Sequence, residues 1–557
     1  MSKINLRSFK PAIVVLMLGS LLACSRTDQG SQEGHQSNGQ VGTQQAPKVS
    51  YYAAARFAEQ TSFGVTPELI TEIQSLGFEA WIDKQLAMPI TSTTMPRELL
   101  SYSPAAGDAP LWLFRNDEFW DTALAAPDQL RQRVTWAVFQ YIPVSAGQAN
   151  GSLEYYNMLR RNVFGNYAKL LRDVTLNPHM GFYLNNELNR PTSPQCLGCT
   201  PNENYARELM QLFTVGVVQL NSDGSVIRDA QGKAKETYTQ KDVEELARAL
   251  TGWRAPSNNT GLPDYSWPHY GSPMVPESAS FLHDSGAKTV MGTAIPAGLN
   301  ASDELDAVVA LLMKHQNVAP FVSLRLIQHL VGSNPSPQYL ARVSAVFRNN
   351  GKGVTGDMAA VVKAVLLDPE ARAGDVLGVN DKQMGYLREP VLWMSAVHRG
   401  LGCKHMTHGT WQGNQYVDQP ANQNTISPPS IFSYYQATDR APGSNLLAPE
   451  QKLLNTMEFT SRLGNLDWRF FNADNPARAD NLTRTGCNWN ELTTAFAKSP
   501  DEFLDLLSKR WFRGAMPATL RNNLLNLIKG ERWQNPESGT VTTLQFALTS
   551  PSFGVIK

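Results

Sequence analysis

The sequence predicts a mainly α protein: a large multi-helix domain in two helical blocks, with long irregular loops and at most a small β-hairpin. Three observations lead there. Apolar residues recur at helical spacing, as in Leu130, Val134, Ala137 and Val138, in Leu305, Val308, Val309 and Leu312, and in Leu504, Leu506, Leu507 and Trp511. Helix starts are legible: Thr66 before Pro67 and Glu68, Ser336 before Pro337, and Ser499 before Pro500, Asp501 and Glu502. Each offers a capping oxygen just ahead of a proline whose missing N–H costs nothing in the first turn. Alternating strand patterns are scarce; the best covers residues 219–226, where Asn221-Ser222-Asp223-Gly224 suits a hairpin turn.

In chain order, Lys3, Arg7 and Lys10 precede an apolar run over residues 12–22 and then Leu21-Leu22-Ala23-Cys24. A charged start, a short apolar stretch and small residues before a cysteine form the pattern of a bacterial lipoprotein signal, assigned to residues 1–24. The run is too short for a permanent span, which needs about 20 residues. Cleavage before Cys24 and lipidation of its thiol are expected, anchoring the chain to a membrane through acyl methylenes. Ser25 follows the cysteine where an Asp would signal inner-membrane retention, so an outer membrane lipoprotein is expected, on the periplasmic face or the cell surface. Residues 25–49, rich in Gln, Gly and Ser, bury too little apolar surface to offset ordering entropy and read as a disordered tether.

The 49 basic and 49 acidic residues cancel, and no basic stripe follows the signal, so nucleic acid is not an expected partner. No later segment approaches about 18 consecutive apolar residues. With Cys24 assigned to lipid, Cys196, Cys199, Cys403 and Cys487 remain, an even number in an oxidising compartment. The simplest pairing joins Cys196 to Cys199 and Cys403 to Cys487, among three connectivities. Pro194 and Pro201 flank the first pair, which reads as a staple on a loop; a redox role stays open.

Residues 50–253 form the first helical block, and its last two helices concentrate polar residues. In Asn202-Glu203-Asn204-Tyr205-Ala206-Arg207-Glu208-Leu209, the residues Tyr205, Leu209, Leu212 and Phe213 make an inward stripe. Glu203 and Arg207 sit at i and i+4, and Asn204, Glu208 and Gln211 share a neighbouring face. Glu203 and Glu208 lie about 140° apart around a helix, so a two-carboxylate mechanism needs a partner from elsewhere: Asp242, Glu245 or Asp284. The bland alternative is a surface ion pair with solvated neighbours. The helix over residues 239–251 opens on Thr239 and Asp242, which resemble a capping box, and points Val243, Leu246, Ala247 and Leu250 inward. Glu244 is expected to pair with Arg248, and Gly252 to stop the helix before Trp253. Arg248 reads as a structural ion pair or as an anion-binding group.

Residues 254–299, rich in Pro, Gly, Ser and aromatics, separate this block from a second over 300–557. They hold His283-Asp284, a candidate base or ligand, Lys288, and Tyr265 and Trp267, suited either to stacking on sugar rings or to pinning the loop. Cys403-Lys404-His405-Met406-Thr407-His408 has metal-ligand residue types but lacks a convincing fourth ligand, so no metal and no cofactor are expected. Hydrolase, zincin, ATPase and dinucleotide fingerprints are absent.

Together with Ala54-Ala55-Arg56-Phe57, Gln129-Leu130-Arg131-Gln132-Arg133-Val134, Phe321-Val322-Ser323-Leu324-Arg325-Leu326 and Ser550-Pro551-Ser552-Phe553, the signature helix resembles a family of secreted bacterial proteins known as domain of unknown function eighteen hundred. The resemblance runs from about residue 50 to 557, which makes this stretch one family domain; Ser552 stands where the family usually has Glu. Two functions are expected from these readings. The first binds or hydrolyses extracytoplasmic polysaccharide, with Glu203, Glu208, Asp242, Asp284 and His283 as catalytic candidates. Asn204, Arg207, Arg248, Trp253, Tyr265, Trp267 and Lys288 would hold substrate. The second, implied by the family's proximity to a secreted sulfatase-like family, is a non-catalytic assembly or export partner of such a protein.

Overall fold

Helix Tyr51–Thr61 opens the fold on Ser50, whose hydroxyl accepts the Ala53 N–H. The computed structural model describes residues 48–94, 109–145, 149–256, 270–379, 385–404, 422–470, 487 and 490–557. Cys24, nearly all of the tether, Tyr265, Trp267, His405 and His408 lie outside these residues.

The first block continues through Pro67–Leu76, Phe78–Ala87, Ala109–Ala125, Gln129–Phe139, Ala149–Asn162, Tyr167–Thr175, Pro178–Tyr183, Asn204–Gln211 and Gln240–Ala249. The second holds Ala301–Lys314, Val318–Leu330, Pro337–Arg348, Met358–Leu367, Pro390–Gly400, Thr456–Phe470, Asn490–Lys498, Pro500–Trp511, Ala518–Gly530 and Pro536–Leu548, with short helical turns between. Thr66, Ser336 and Ser499 cap their helices as their sequence context predicts, each accepting an N–H three residues on. The chain is mainly α. Among the described residues, strand is confined to short antiparallel pairs, Trp253–Arg254 with Val275–Pro276, Lys288–Val290 with Thr293–Ile295, and Tyr386–Leu387 with Val555–Ile556. Residues 219–226 close on a Leu220–Val226 bridge.

One apolar core cluster draws on buried residues from Ala54 near the start to Ile556 near the end. Buried arginines tie the two blocks across it. Arg56 donates to the Ala371 carbonyl (2.7 Å) and to Asp375 (2.7 Å), which explains the Ala54-Ala55-Arg56-Phe57 motif. Arg388 and Arg513 share Glu59, at 2.8 and 2.6 Å. Burial works to raise the Glu59 pKa, but the two guanidiniums outweigh it and hold the carboxylate below its ordinary value. Arg388 also donates to the Phe553 carbonyl at 3.1 Å, fixing the closing motif. Motif residues of this kind are interior fasteners: Arg56, Arg388 and Arg513 each meet a carboxylate far away in sequence.

Two disulfides form, Cys196–Cys199 and Cys403–Cys487. The second commits Cys403, removing it from any metal set with His405 and His408. Among the described residues, no single helix is long and apolar enough to cross a membrane.

Candidate binding cleft beside the signature helix

The signature helix Asn204–Gln211 packs through Tyr205, Ala206, Leu209 and Met210, and the Tyr205 hydroxyl lies 2.7 Å from that of Thr175. Its polar start faces outward. Arg207 reaches Glu203 at 2.7 Å, as the i, i+4 spacing predicts, and Gln240 bridges the two, accepting from Arg207 (3.1 Å) and donating to Glu203 (2.9 Å). Asn204 donates to Asn185 at 2.9 Å.

Helix Gln240–Ala249 begins with the Thr239/Asp242 capping box. The Asp242 carboxylate also accepts the Met291 N–H at 2.6 Å, linking the cap to the Lys288–Val290 strand pair. Three backbone and hydroxyl donors thus hold Asp242. The Arg248 pair differs from expectation: its partners are Glu245 (2.7 Å) and, through two parallel bonds of 2.8 and 3.1 Å, Asp284. Glu244 instead faces Lys241 at 3.7 Å. The planar guanidinium favours the two-point carboxylate that the loop brings to it over a single exposed contact one turn back.

Gly252 turns the chain at φ +87°, and a Cβ there would sit 2.7 Å from the His283 Cβ. This close approach lets His283 donate through Nδ1 to the Thr251 carbonyl (2.9 Å), while Nε2 lies 3.0 Å from Glu304. Two expected substrate contacts turn out to be interior. Trp253 is buried, and the Lys288 ammonium is enclosed between Glu304 (2.7 Å) and the Gly286 and Asp284 carbonyls. An ammonium so held reaches no ligand without opening the loop.

Glu203, Arg248 and Asp284, from three separate segments, meet along one cleft of ≈ 360 Å³ with Lys241 and Glu244. Thr192, Thr200 and Pro201 form its other wall. That wall is the stapled loop: Thr192 donates to the Cys199 carbonyl (2.7 Å), and the Asn202 N–H is held by Asn189 (2.7 Å). Lys241, Glu244 and Arg248 were legible as one face, since they fall at i, i+3 and i+7. The threonines carried no such signal.

Burial raises the Asp284 pKa, but the Arg248 hydrogen bonds, the Gly286 N–H and Lys288 together pull it below its ordinary value. Arg248 is shifted up, chiefly by its hydrogen bonds to Asp284. The Arg248–Asp284 pair is therefore ionised and held in place at neutral pH. Glu208 behaves in the opposite way: burial raises its pKa, against a smaller effect of Arg207, and its Oε2 is enclosed without a hydrogen-bond partner. It does not line the cleft; its charge is felt instead by Tyr183 and Tyr238. Glu203 and Glu208 are thus not brought to one point, as the helical geometry requires.

The family model described as "Protein of unknown function (DUF1800)" matches residues 56–555. No curated protein and no solved structure matches the chain.

Proposed function

We propose a function from one premise: the chain belongs to this family of proteins of unknown function. The reading is a lipid-anchored envelope protein of the outer membrane whose cleft binds an extracytoplasmic, hydroxyl-rich ligand of the carbohydrate class. The observation that carries it is the convergence of Glu203, Arg248 and Asp284 with Thr192 and Thr200 on one polar cleft of ≈ 360 Å³. Sugar hydroxyls both donate and accept. Fixed carboxylates supply acceptors, and Lys241, Arg248 and the threonine hydroxyls supply donors, in a volume within the usual range for small-molecule sites. Two disulfides agree with an oxidising, extracytoplasmic compartment.

Binding is favoured over hydrolysis. Glycoside cleavage needs a carboxyl kept protonated near neutral pH beside an ionised one. Asp284 is held ionised by Arg248, and Glu208, whose pKa is raised, lies outside the cleft. A thermal-shift screen of the full-length protein against oligosaccharides, with disulfides intact, tests this. A ligand at a hundredfold excess over its dissociation constant raises stability by about 2.7 kcal/mol. A shift that vanishes in Glu203→Gln supports the reading; a glycan shift untouched by Glu203→Gln and Asp284→Asn refutes the site.

A second reading, an assembly partner of a sulfatase-like protein, draws on an apolar groove of ≈ 520 Å³ lined by Leu387, Phe459, Leu548 and Val555, with Phe459 51% exposed. Co-purification of the neighbouring gene product that fails on Phe459→Glu would favour it.

A further inference from the structure

A second cavity, of ≈ 210 Å³, opens at the C-terminal end of the signature helix. Three of the sequence motifs converge on it: Gln140 and Tyr141 end the helix that carries Gln129 to Val134, Gln211 and Leu212 end the signature helix, and Phe321 and Arg325 come from helix Val318–Leu330. Ile431, Phe432 and Tyr435 cover it from the loop after residue 422. Asn317 fixes the geometry by donating to the Val215 and Val218 carbonyls, both at 2.7 Å. Gly216, at φ +68°, lets the chain pass close over Phe321, whose ring would lie 3.1 Å from a Cβ.

The charge balance here resembles that at Arg115 and Arg133, whose partners among the described residues are uncharged, rather than that of the paired arginines. Arg56, Arg160 and Arg388 each meet a carboxylate, and Arg399 is taken up by backbone carbonyls. Arg325 donates only to Gln328 (2.9 Å) and stacks 5.0 Å over Phe321, with no carboxylate partner among the described residues. Burial lowers its pKa to about 10, so it stays charged at neutral pH. His329 beside it is pushed down to about 3 by burial and by Arg133 and Arg325, and is therefore neutral. Two carboxylates bond to residues of the cavity wall: Glu389 accepts from Gln140 (2.7 Å), Tyr435 (3.1 Å), Trp136 (2.6 Å) and Gln423 (2.8 Å), and Asp439 accepts the Gln436 N–H (3.1 Å). Gln140 and Tyr435 are thereby turned toward Glu389, leaving Arg325 as the strong donor facing the cavity.

We propose that this cavity binds a small organic monocarboxylate, with its carboxylate on the Arg325 guanidinium and its apolar body against Phe321, Leu212, Ile431 and Phe432. A guanidinium offers two parallel N–H groups that match a carboxylate. With a single uncommitted cation and mostly apolar walls, a dianion such as a phosphate ester would leave a charge uncompensated. The site is separate from the polar cleft and does not depend on the carbohydrate reading.

The test titrates the purified full-length protein with benzoate, benzyl alcohol and phenyl phosphate. Benzoate is expected to bind at least about tenfold more tightly than either of the others, and Arg325→Gln to weaken it about ten- to a hundredfold. Val217, 53% exposed at the cavity mouth, gives a variant that spares the buried network: Val217→Trp should block benzoate with an unchanged melting temperature. Glu203→Gln should leave benzoate binding as it is. No benzoate binding at millimolar concentration, equal binding of the alcohol, tighter binding of phenyl phosphate, or benzoate binding insensitive to Val217→Trp would each overturn the proposal.

Discussion

Arg248 and Asp284, 36 positions apart, meet through two parallel hydrogen bonds of 2.8 and 3.1 Å, and this contact fastens the loop after Gly252 to the helix that forms one wall of the cleft. The pair is mostly enclosed, with side chains 29% and 20% exposed. Arg248→Met removes the two-point partner of Asp284, while Glu245 keeps Lys241 at 2.7 Å, and is expected to lower stability by about 1–3 kcal/mol in denaturant unfolding. Asp284→Asn should cost less, because it removes the charge rather than orphaning it.

The same pair sets a pH dependence. The folded Asp284 pKa lies below its unfolded value, so its contribution is present above the ordinary carboxylate range and is lost as pH falls through the depressed value. Glu59, lowered by Arg513 and Arg388 against its burial, acts in the same direction. Unfolding free energy followed from pH 7 downward should fall less steeply in Asp284→Asn than in the wild type. Parallel curves would count against the ionised pair.

Glu208 has the opposite sign. Its folded pKa is raised by burial, so the protonated form is favoured and stability is lost as pH rises through that value. Glu208→Gln should therefore stabilise the protein at pH 7 and do little well below the ordinary glutamate range, as measured by melting at both pH values. A destabilised Glu208→Gln at pH 7 would mean that the carboxylate has a partner the geometry does not supply.

Gly252→Ala forces a Cβ into contact with His283 at a positive φ. A loss of about 1–3 kcal/mol is expected. Because the Asp284 loop shifts with His283, ligand affinity at the cleft should fall as well. An alanine variant with wild-type melting would show that the turn relaxes freely.

The two disulfides should rank by loop length. The chain-entropy estimate gives about 4–5 kcal/mol for Cys403–Cys487, separated by 84 residues, and about 2 for Cys196–Cys199, separated by 3. Paired Cys→Ser variants compared by chemical denaturation should keep that order. The Cys196/Cys199 variant is expected to lose ligand affinity out of proportion to its small stability change, since its loop is a wall of the cleft.

What the sequence showed, and what it hid, follows from the range of the forces involved. Thr66, Ser336, Ser499 and the Thr239/Asp242 box were readable because a cap is satisfied within three residues. The inward stripe of Val243, Leu246 and Ala247 was readable from period alone. The Glu203–Arg207 pair, one helical turn apart, was readable as well, but partners of charged groups across the fold were not. The Arg248 partner across the loop, the enclosure of Lys288 by Glu304 and the lack of a carboxylate for Arg325 each depend on segments that only the tertiary fold brings together. Glu203, Arg248 and Asp284 were singled out for their residue types; their sharing of a cleft is a property of packing.

The most direct test of the cleft is a calorimetric titration of the full-length protein with the oligosaccharide that gives the largest thermal shift, beside Thr200→Trp, which fills the cleft from the stapled wall while leaving the Arg248–Asp284 pair intact. Loss of binding in Thr200→Trp with unchanged melting, and retention in Arg325→Gln, is the predicted result. Full affinity in Thr200→Trp would contradict the assignment.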